Sequence, residues 1–335
     1  MNRRPAPVLL VLFLISGGCG LIYEVVWTRL FTVIIGNTVF SVSAILTVFM
    51  AGLALGSRVA GRLLDRKPIP LTRAYAVLEA GTGVYNLLLP LLLKAADPLF
   101  GWSYSSAYQS FLILGLARLL ISFALLIIPA TLMGATLPIL VRLYVENIAS
   151  AGTQAGRVYA VNTLGAALGA AAAGFLLVPY MGVMFALYFA AALNLGIALV
   201  AWRVGRKDDT VSMIQQADGA APGPRILLIA MLLSGTAALM NEVAWTRVLG
   251  LVVGPTTYAF TLMLCSMITG LALGAAIGSR LTRRYDVGPS TFAWVELGVG
   301  FASLALVPAF GRSQNDPTDF KSVVRVILHY VKKNL

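Results

Sequence analysis

Charged and chemically reactive side chains are scarce in this 335-residue chain. Asp, Glu, Lys and Arg together make up 11% of it, histidine occurs once, as His329, and cysteine occurs twice, as Cys19 and Cys265. A metal site needs several His, Cys or carboxylate ligands close together, and a disulfide framework needs more cysteines. These few reactive side chains also include no nucleophile with a basic partner. We therefore expect no metal, no cofactor and no hydrolytic centre.

Apolar sequence is abundant instead: 59% of the residues are hydrophobic, and the mean hydropathy is +0.86. A helix needs about 20 apolar residues to cross the hydrocarbon core of a bilayer. The alternating pattern of barrel strands does not occur, so the sequence predicts an all-α polytopic membrane protein, a helical bundle with about nine transmembrane helices. The predicted spans cover roughly 8–35, 39–59, 74–93, 111–140, 158–178, 183–202, 226–252, 257–278 and 290–310.

The formal net charge is +12, and the basic residues that produce it are distributed according to the predicted topology. Basic residues precede the first span and fill every second gap after it, whereas the opposite gaps between spans contain only Lys94. Lys and Arg concentrate on the cytoplasmic side of membrane proteins, which predicts a cytoplasmic N-terminus. The excess charge then reflects orientation in the membrane, and we expect no nucleic-acid partner.

The sequence also repeats itself at long range. SGGCGLIYEVVWTRLFTVIIGNT, from Ser16, returns as SGTAALMNEVAWTRVLGLVVGPT, from Ser234, and GLALG occurs at both Gly52 and Gly270. The paired residues include Glu24 and Glu242, Trp27 and Trp245, Arg29 and Arg247, and, after a shift of one position, Glu79 and Glu296. Both copies begin on the predicted cytoplasmic side with six spans between them, which indicates parallel repeats.

The repeat predicts four regions. Residues 1–202 form a first repeat of six helices, 203–225 a hydrophilic cytoplasmic linker, and 226–310 an incomplete second repeat of three helices. Residues 311–335 form a basic amphipathic tail, with a short helix of ~15 residues that suits a membrane surface and is too short to span.

Parallel six-helix halves resemble the major facilitator superfamily. GRLLDR, which contains Gly61, Asp65 and Arg66, resembles the start of that superfamily's signature between its second and third helices. The resemblance implies that these three residues lock the cytoplasmic helix ends together. The second copy departs from it, since Arg283 replaces the acid.

A closer resemblance is to the membrane region of bacterial fused major facilitator and spermidine-synthase-like proteins. It is carried by GLIYEVVWTRL from Gly20, GLALGS from Gly52, PATLMGATLPIL from Pro129 and GRVYAVNTLGAALGA from Gly156. The resemblance implies a bacterial inner-membrane protein, a polyamine or another cationic small molecule as ligand, and a spermidine-synthase-like enzyme domain as partner. The chain has no counterpart of that aminopropyltransferase domain, so we expect it not to be an enzyme, and the short second half predicts a C-terminally truncated or frame-shifted product.

Eight residues in or near the predicted spans are candidates for substrate binding: Glu24, Trp27, Arg29, Arg118, Asn162, Glu242, Trp245 and Arg247. Glu24 is predicted near the midplane, either as a cavity carboxylate for a cation or in a buried ion pair with Arg118. Trp27 and Trp245 are either stacking platforms for a cation or interfacial anchors. Asn162 either donates into a cavity or bonds between helices.

Five residues are candidates for a cytoplasmic lock: Gly61, Asp65, Arg66, Glu79 and Glu296. Glu79 and Glu296 are predicted near the cytoplasmic ends of their spans, within reach of Arg58, Arg62 or Arg280, as parts of a gate or of a structural tie. Glycines four residues apart, at Gly52 and Gly56 and in the stretch from Gly165 to Gly174, indicate close helix packing.

Two functions follow from these features. The chain is a transport-type membrane domain that binds a cation, or it is a membrane anchor for a polyamine-synthase-like enzyme without transport of its own. Buried polar groups without partners favour the first function, and a dry bundle with every charge paired favours the second.

Overall fold

The computed structural model describes residues 7–35, 39–66, 68–107, 110–145, 148–205, 225–253, 257–284 and 288–315. Within these ranges the chain is helical apart from short connections and contains no strand. The helices are α1 (Val8–Ile35), α2 (Val39–Arg66), α3 (Leu71–Ala107), α4 (Phe111–Tyr144), α5 (Ile148–Ala172), α6 (Val183–Val204), α7 (Arg225–Val253), α8 (Thr257–Arg284) and α9 (Pro289–Asn315). A π-helical segment, Ala173–Met181, continues α5.

Local sequence signals set several helix ends. Pro70 stands immediately before α3, and its carbonyl accepts the first hydrogen bond of that helix, from the Ala74 N–H at 2.9 Å. Ser110 caps α4 by accepting from the Ile113 N–H at 3.5 Å. Gly182 has a positive φ of 90°, which a residue with a side chain rarely adopts, and it separates the π-helical segment from α6.

The predicted number of helices is confirmed for the described residues. By length and composition, eight of the nine helices are long and apolar enough to cross a membrane, while the apolar part of α9, Ser290–Ala305, is shorter. The predicted tail helix after residue 315 and most of the predicted linker lie outside the described residues.

Several helices are longer than their predicted spans. The clearest case is α3, predicted over 74–93, which continues through Lys94 and Asp97 and contains Pro90 and Pro98. The prediction ended where the apolar run ended, but helical hydrogen bonding does not need apolar side chains. A proline removes one backbone donor without necessarily ending a long helix.

The chain divides into two compact units. The first contains the described residues within Met1–Gly219 together with Leu264–Ser279, and the second contains those within Ala220–Met263 and Arg280–Leu335. In the first unit, α2 packs on α4, α1 on α5 and α6, and α3 on α4 and α6. Its apolar core includes the edge-to-face pair of Phe13 and Tyr75, whose ring centroids are 6.3 Å apart. In the second unit, α7 contacts α9.

Glycines bring α1 and α5 into backbone contact. A methyl group placed on Gly165 would collide with the carbonyl oxygen of Leu14, and one on Gly169 would collide with that of Gly18. The predicted role of the stretch from Gly165 to Gly174 in close helix packing is thereby confirmed for Gly165 and Gly169.

Glycines also bring α2 into close contact with α4. A methyl group on Gly52 would collide with Ala130, and one on Gly56 would collide with the carbonyl oxygen of Thr131 and lie 2.8 Å from the Ala135 nitrogen. Close packing at Gly52 and Gly56 is therefore confirmed. The repeated glycines differ, because no atom of the described residues lies within 4 Å of a methyl group placed on Gly270 or Gly274.

Candidate functional site: a buried polar network around Glu79

One face of α1 carries polar and aromatic side chains at helical spacing. Ser16, Tyr23 and Trp27 are seven and four residues apart, and this spacing places them along one side of the helix. Tyr23 and Trp27 are fully buried. Their hydrogen-bond partners come from α3 and α6, so the network joins three helices of the first unit.

Glu79 of α3 is the centre of this network. Its side chain is only 1% exposed, and both carboxylate oxygens accept hydrogen bonds. The Ser16 hydroxyl donates to Oε1 at 2.5 Å, and the Asn194 side-chain amide donates to Oε2 at 2.6 Å. The Tyr23 hydroxyl in turn donates to the Asn194 Oδ1 at 3.2 Å. Buried polar groups need such partners, and here each partner is a neutral group.

The position of Glu79 differs from the predicted one. It lies eight residues after Leu71, or ~12 Å along the helix axis, rather than at a helix end. Arg58, Arg62 and Arg280, the predicted partners, have exposed side chains. The contacts of Glu79 to Ser16 and Asn194 therefore tie helices together deep inside the unit. This position does not fit a lock at the cytoplasmic surface.

Trp27 continues the network toward Asn86. Its indole N–H donates to the Asn86 Oδ1 at 3.0 Å, and the Asn86 amide donates to the Thr82 carbonyl at 3.0 Å. Tyr23 stacks on the indole with centroids 5.8 Å apart, and Phe49 meets it edge-on at 6.0 Å. Trp27 is 0% exposed, so it is a core residue rather than the predicted interfacial anchor. A cation would find one face of the ring already covered by Tyr23.

The central hydrogen bond of the network recurs in the second unit. The Ser234 hydroxyl of α7 donates to the Glu296 Oε1 of α9 at 2.6 Å, at the positions that the sequence repeat pairs with Ser16 and Glu79. Sequence reasoning missed the serines, although each one opens its copy of the repeat. The asparagine that completes the Glu79 site comes from α6, and no repeated phrase pointed to it.

The two glutamates of the repeated EV(V/A)WTR phrase are buried as well. Glu24 of α1 is 2% exposed and Glu242 of α7 is 3% exposed. The Oε2 atom of Glu242 has no hydrogen-bond partner among the described residues. The Thr28 and Thr246 hydroxyls donate to the backbone carbonyls of Glu24 and Glu242, both at 2.8 Å, so the repeat extends to local hydrogen bonding. The pairing of Glu24 with Arg118, which is half-buried, stays a prediction.

The remaining binding candidates differ in burial. Arg29 and Trp245 are half-buried and Arg247 is exposed. The Asn162 amide donates to the Phe13 carbonyl of α1 at 3.3 Å. This contact agrees with the interhelical hydrogen bond that was one of its two predicted roles.

The predicted lock residues on α2 lie at the end of that helix. Gly61 has open space around it, and Asp65 and Arg66 are exposed. The structure does not bring them together with Glu79, which is buried against Ser16 and Asn194. Among the described residues there is also no group of three or more His, Cys, Asp or Glu that could hold a metal ion.

The fold and the site define an all-helical protein whose apolar helices enclose carboxylates and a hydrogen-bonded polar network. Two curated proteins of Streptomyces coelicolor are similar to it. Polyamine aminopropyltransferase 2 is 28% identical over 190 residues, which cover 56% of this chain and 32% of that protein. Polyamine aminopropyltransferase 1 is 28% identical over 176 residues, covering 52% and 30%. The chain thus spans about a third of the length of these relatives. No family profile matches the chain, and no solved structure matches it significantly.

Proposed function

We propose that this chain is the membrane-embedded, transport-type part of a spermidine-synthase-like protein and that it binds a polyamine or another cationic small molecule. The observation that carries the proposal is Glu242, a buried carboxylate whose Oε2 has no hydrogen-bond partner among the described residues. A charged side chain at the centre of a membrane helix costs roughly 2.5 to 3.5 kcal/mol. An ammonium group that reaches Glu242 offsets this cost by neutralising the charge.

The nature of the ligand is supported by the names of the relatives. Both are polyamine aminopropyltransferases, and polyamines carry several ammonium groups at neutral pH. Glu24 occupies the corresponding place in the first repeat and is equally buried. The chain therefore offers two buried carboxylates at equivalent positions of the repeat.

A location in the inner membrane is supported by the surfaces of the helices. Large apolar side chains lie exposed on most of them, including Leu91 at 64%, Leu112 at 72% and Phe301 at 73%. Soluble proteins rarely expose so many apolar groups together, whereas lipid covers them at no cost. The distribution of Lys and Arg further supports a cytoplasmic N-terminus.

A major-facilitator-like mechanism is supported by the parallel repeat and by the hydrogen bond shared by its copies. In such an architecture two halves rock against each other and expose a central site to each side in turn. Glu24 and Glu242 belong to the first helix of each copy. We infer that the Glu242 carboxylate faces the ligand path.

The second candidate function is a membrane anchor for a polyamine-synthase-like enzyme, without transport. The Glu79 network favours it, because this carboxylate has its hydrogen bonds satisfied by Ser16 and Asn194 and stabilises a dry bundle. In this case Glu242 binds no cation.

Spermidine binding to the protein in lipid nanodiscs distinguishes the two functions. We expect saturable binding that the Glu242→Gln variant weakens at least about tenfold, which corresponds to the loss of one charge-assisted contact of about 1.4 kcal/mol or more. The matched control is Asp65→Asn, which removes an exposed carboxylate at the end of α2 and leaves binding unchanged. An anchor without a ligand site shows no saturable binding in any of the three proteins.

A further inference from the structure

The two oxygens of the Glu79 carboxylate are held differently. The Asn194 Oδ1 accepts from the Tyr23 hydroxyl, so the Nδ2 end of this amide faces Glu79 and donates to Oε2. An amide nitrogen can only donate, whereas a hydroxyl can donate or accept. The Ser16 hydroxyl, which donates to Oε1 at 2.5 Å, can therefore reverse its role. Oε1 is the oxygen to which a proton can add without the loss of a contact.

The groups around Glu79 are neutral. The titratable side chains that lie near it are Cys19 and Tyr23 of α1 and Tyr75 of α3. Thiols and phenols are uncharged at neutral pH. Among the described residues that contact the carboxylate, its charge is therefore balanced by neutral donors alone. A buried charge of this kind is costly, and a bound proton removes it.

The arginines of α4 lie at other levels of the bundle. Gly81, two residues after Glu79, faces α4, because a methyl group placed on it would lie 3.2 Å from the Leu132 side chain. Arg118 and Arg142 are fourteen and ten residues from Leu132, which corresponds to ~21 and ~15 Å along the helix axis. Neither guanidinium is therefore placed to neutralise Glu79.

The charged residues of the other helices around Glu79 are also directed elsewhere or distant. Arg73 of α3 stacks on Trp202, with its guanidinium carbon 5.4 Å from the ring centroid. Arg203 of α6 is exposed and lies nine residues after Asn194. The remaining charged residues of α1 and α3 lie eight or more residues from Ser16 or Glu79, which is ~12 Å or more along the helix: Glu24, Arg29, Lys94 and Asp97.

We propose that Glu79 is a proton-binding site of the first unit. The proton comes from a hydronium ion of the surrounding water and adds to Oε1, which converts the carboxylate to a neutral carboxylic acid. The new O–H donates to the Ser16 oxygen, and the Ser16 hydroxyl turns its own hydrogen to a backbone carbonyl of the preceding turn of α1, a contact open to serines in helices. The Asn194 contact to Oε2 stays. Release of the proton reverses these changes.

The proton reaches the carboxylate from the Ser16 side. Ser16 is half-buried, whereas Glu79, Tyr23 and Asn194 are at most 2% exposed. Proton binding removes a charge where α1, α3 and α6 are joined, so it changes the contacts that hold three helices together. The proton site is separate from the cation site proposed at Glu242, and either can fail alone.

The test is infrared difference spectroscopy of the full chain in lipid nanodiscs at about pH 9 and about pH 6, a range in which exposed carboxylates stay ionised. We expect the C=O stretch of a protonated carboxylic acid to appear at the lower pH. Glu79→Gln, a neutral side chain of the same shape, should remove one carboxyl equivalent of this band. The matched control is Glu296→Gln, because Glu296 accepts the equivalent serine hydrogen bond at 2.6 Å but is only half-buried. This variant should leave the band unchanged.

A second variant, Ser16→Ala, tests the site even if Glu79→Gln does not fold, and gel filtration checks the folding of each variant. Ser16→Ala should keep the band and move it to higher frequency, because the O–H of the acid then lacks its acceptor. Three results overturn the proposal. They are a band that neither Glu79→Gln nor Ser16→Ala alters, a Glu79 band of equal intensity at both pH values, and an equal loss of the band in Glu296→Gln.

Discussion

Replacing Asn194 with leucine should destabilise the first unit strongly, because Asn194 has two partners. The substitution leaves the Glu79 Oε2 and the Tyr23 hydroxyl without the contacts now made at 2.6 and 3.2 Å. A hydrogen bond to a charged group contributes about 1.5–3 kcal/mol and one between neutral groups about 1 kcal/mol. We therefore expect a loss of about 2.5–4 kcal/mol in the free energy of unfolding.

The measurement is reversible unfolding in mixed detergent micelles, followed by circular dichroism. The matched control is Asn162→Leu, which removes one amide contact of 3.3 Å to a backbone carbonyl and should cost about 1 kcal/mol. A double variant, Glu79→Met with Asn194→Leu, replaces both partners by apolar groups and should cost clearly less than the sum of the single substitutions. Equal costs for Asn194→Leu and Asn162→Leu, together with additivity of the pair, would refute the network as a unit.

Three further predictions concern topology, pairing and activity. In a background with Cys19 and Cys265 replaced by alanine, an impermeant thiol reagent added outside cells should label Tyr104→Cys and not Gln215→Cys, and the reverse pattern contradicts a cytoplasmic N-terminus. Removing Glu24 or Arg118 alone should cost on the order of 3 to 5 kcal/mol, since each leaves an uncompensated charge, whereas removing both should cost much less than the sum; simple additivity rules the pair out. The purified chain should transfer no aminopropyl group from decarboxylated S-adenosylmethionine to putrescine in a radiochemical assay, and detectable transfer shows that a catalytic site is present.

Features that depend on local pattern could be predicted from the sequence. The helices follow from apolar runs, and the close contact of α1 with α5 follows from glycines at four-residue spacing, because both are properties of one short segment. The end of α3 could not be predicted in this way. Lys94, Asp97 and Pro98 reduce the apolar signal there while the helix continues.

The partners of Glu79 could not be predicted from the sequence for a different reason. A buried glutamate in an apolar chain suggests an arginine partner, since opposite charges compensate each other most strongly. The structure uses Ser16 and Asn194, which are 63 and 115 residues away in sequence. Serine and asparagine are uncharged, so charge complementarity does not point to them in the sequence. Only the three-dimensional packing of α1, α3 and α6 identifies Ser16 and Asn194 as the partners of Glu79.

Trp27 illustrates the same point for aromatic residues. The sequence predicted either a stacking platform for a cation or an interfacial anchor, whereas the indole N–H of Trp27 has a buried acceptor in Asn86. A tryptophan that finds such an acceptor inside the protein gains apolar burial and keeps its hydrogen bond. The choice between interface and core therefore depended on a residue 59 positions away.

The most direct test of the central claim is an experimental structure of the protein in lipid with bound spermidine. The proposal predicts an ammonium nitrogen of the ligand within about 4 Å of the Glu242 carboxylate, on a path lined by apolar helices. A structure in which the Glu242 carboxylate is satisfied by a protein side chain, with spermidine bound elsewhere or not at all, would contradict it.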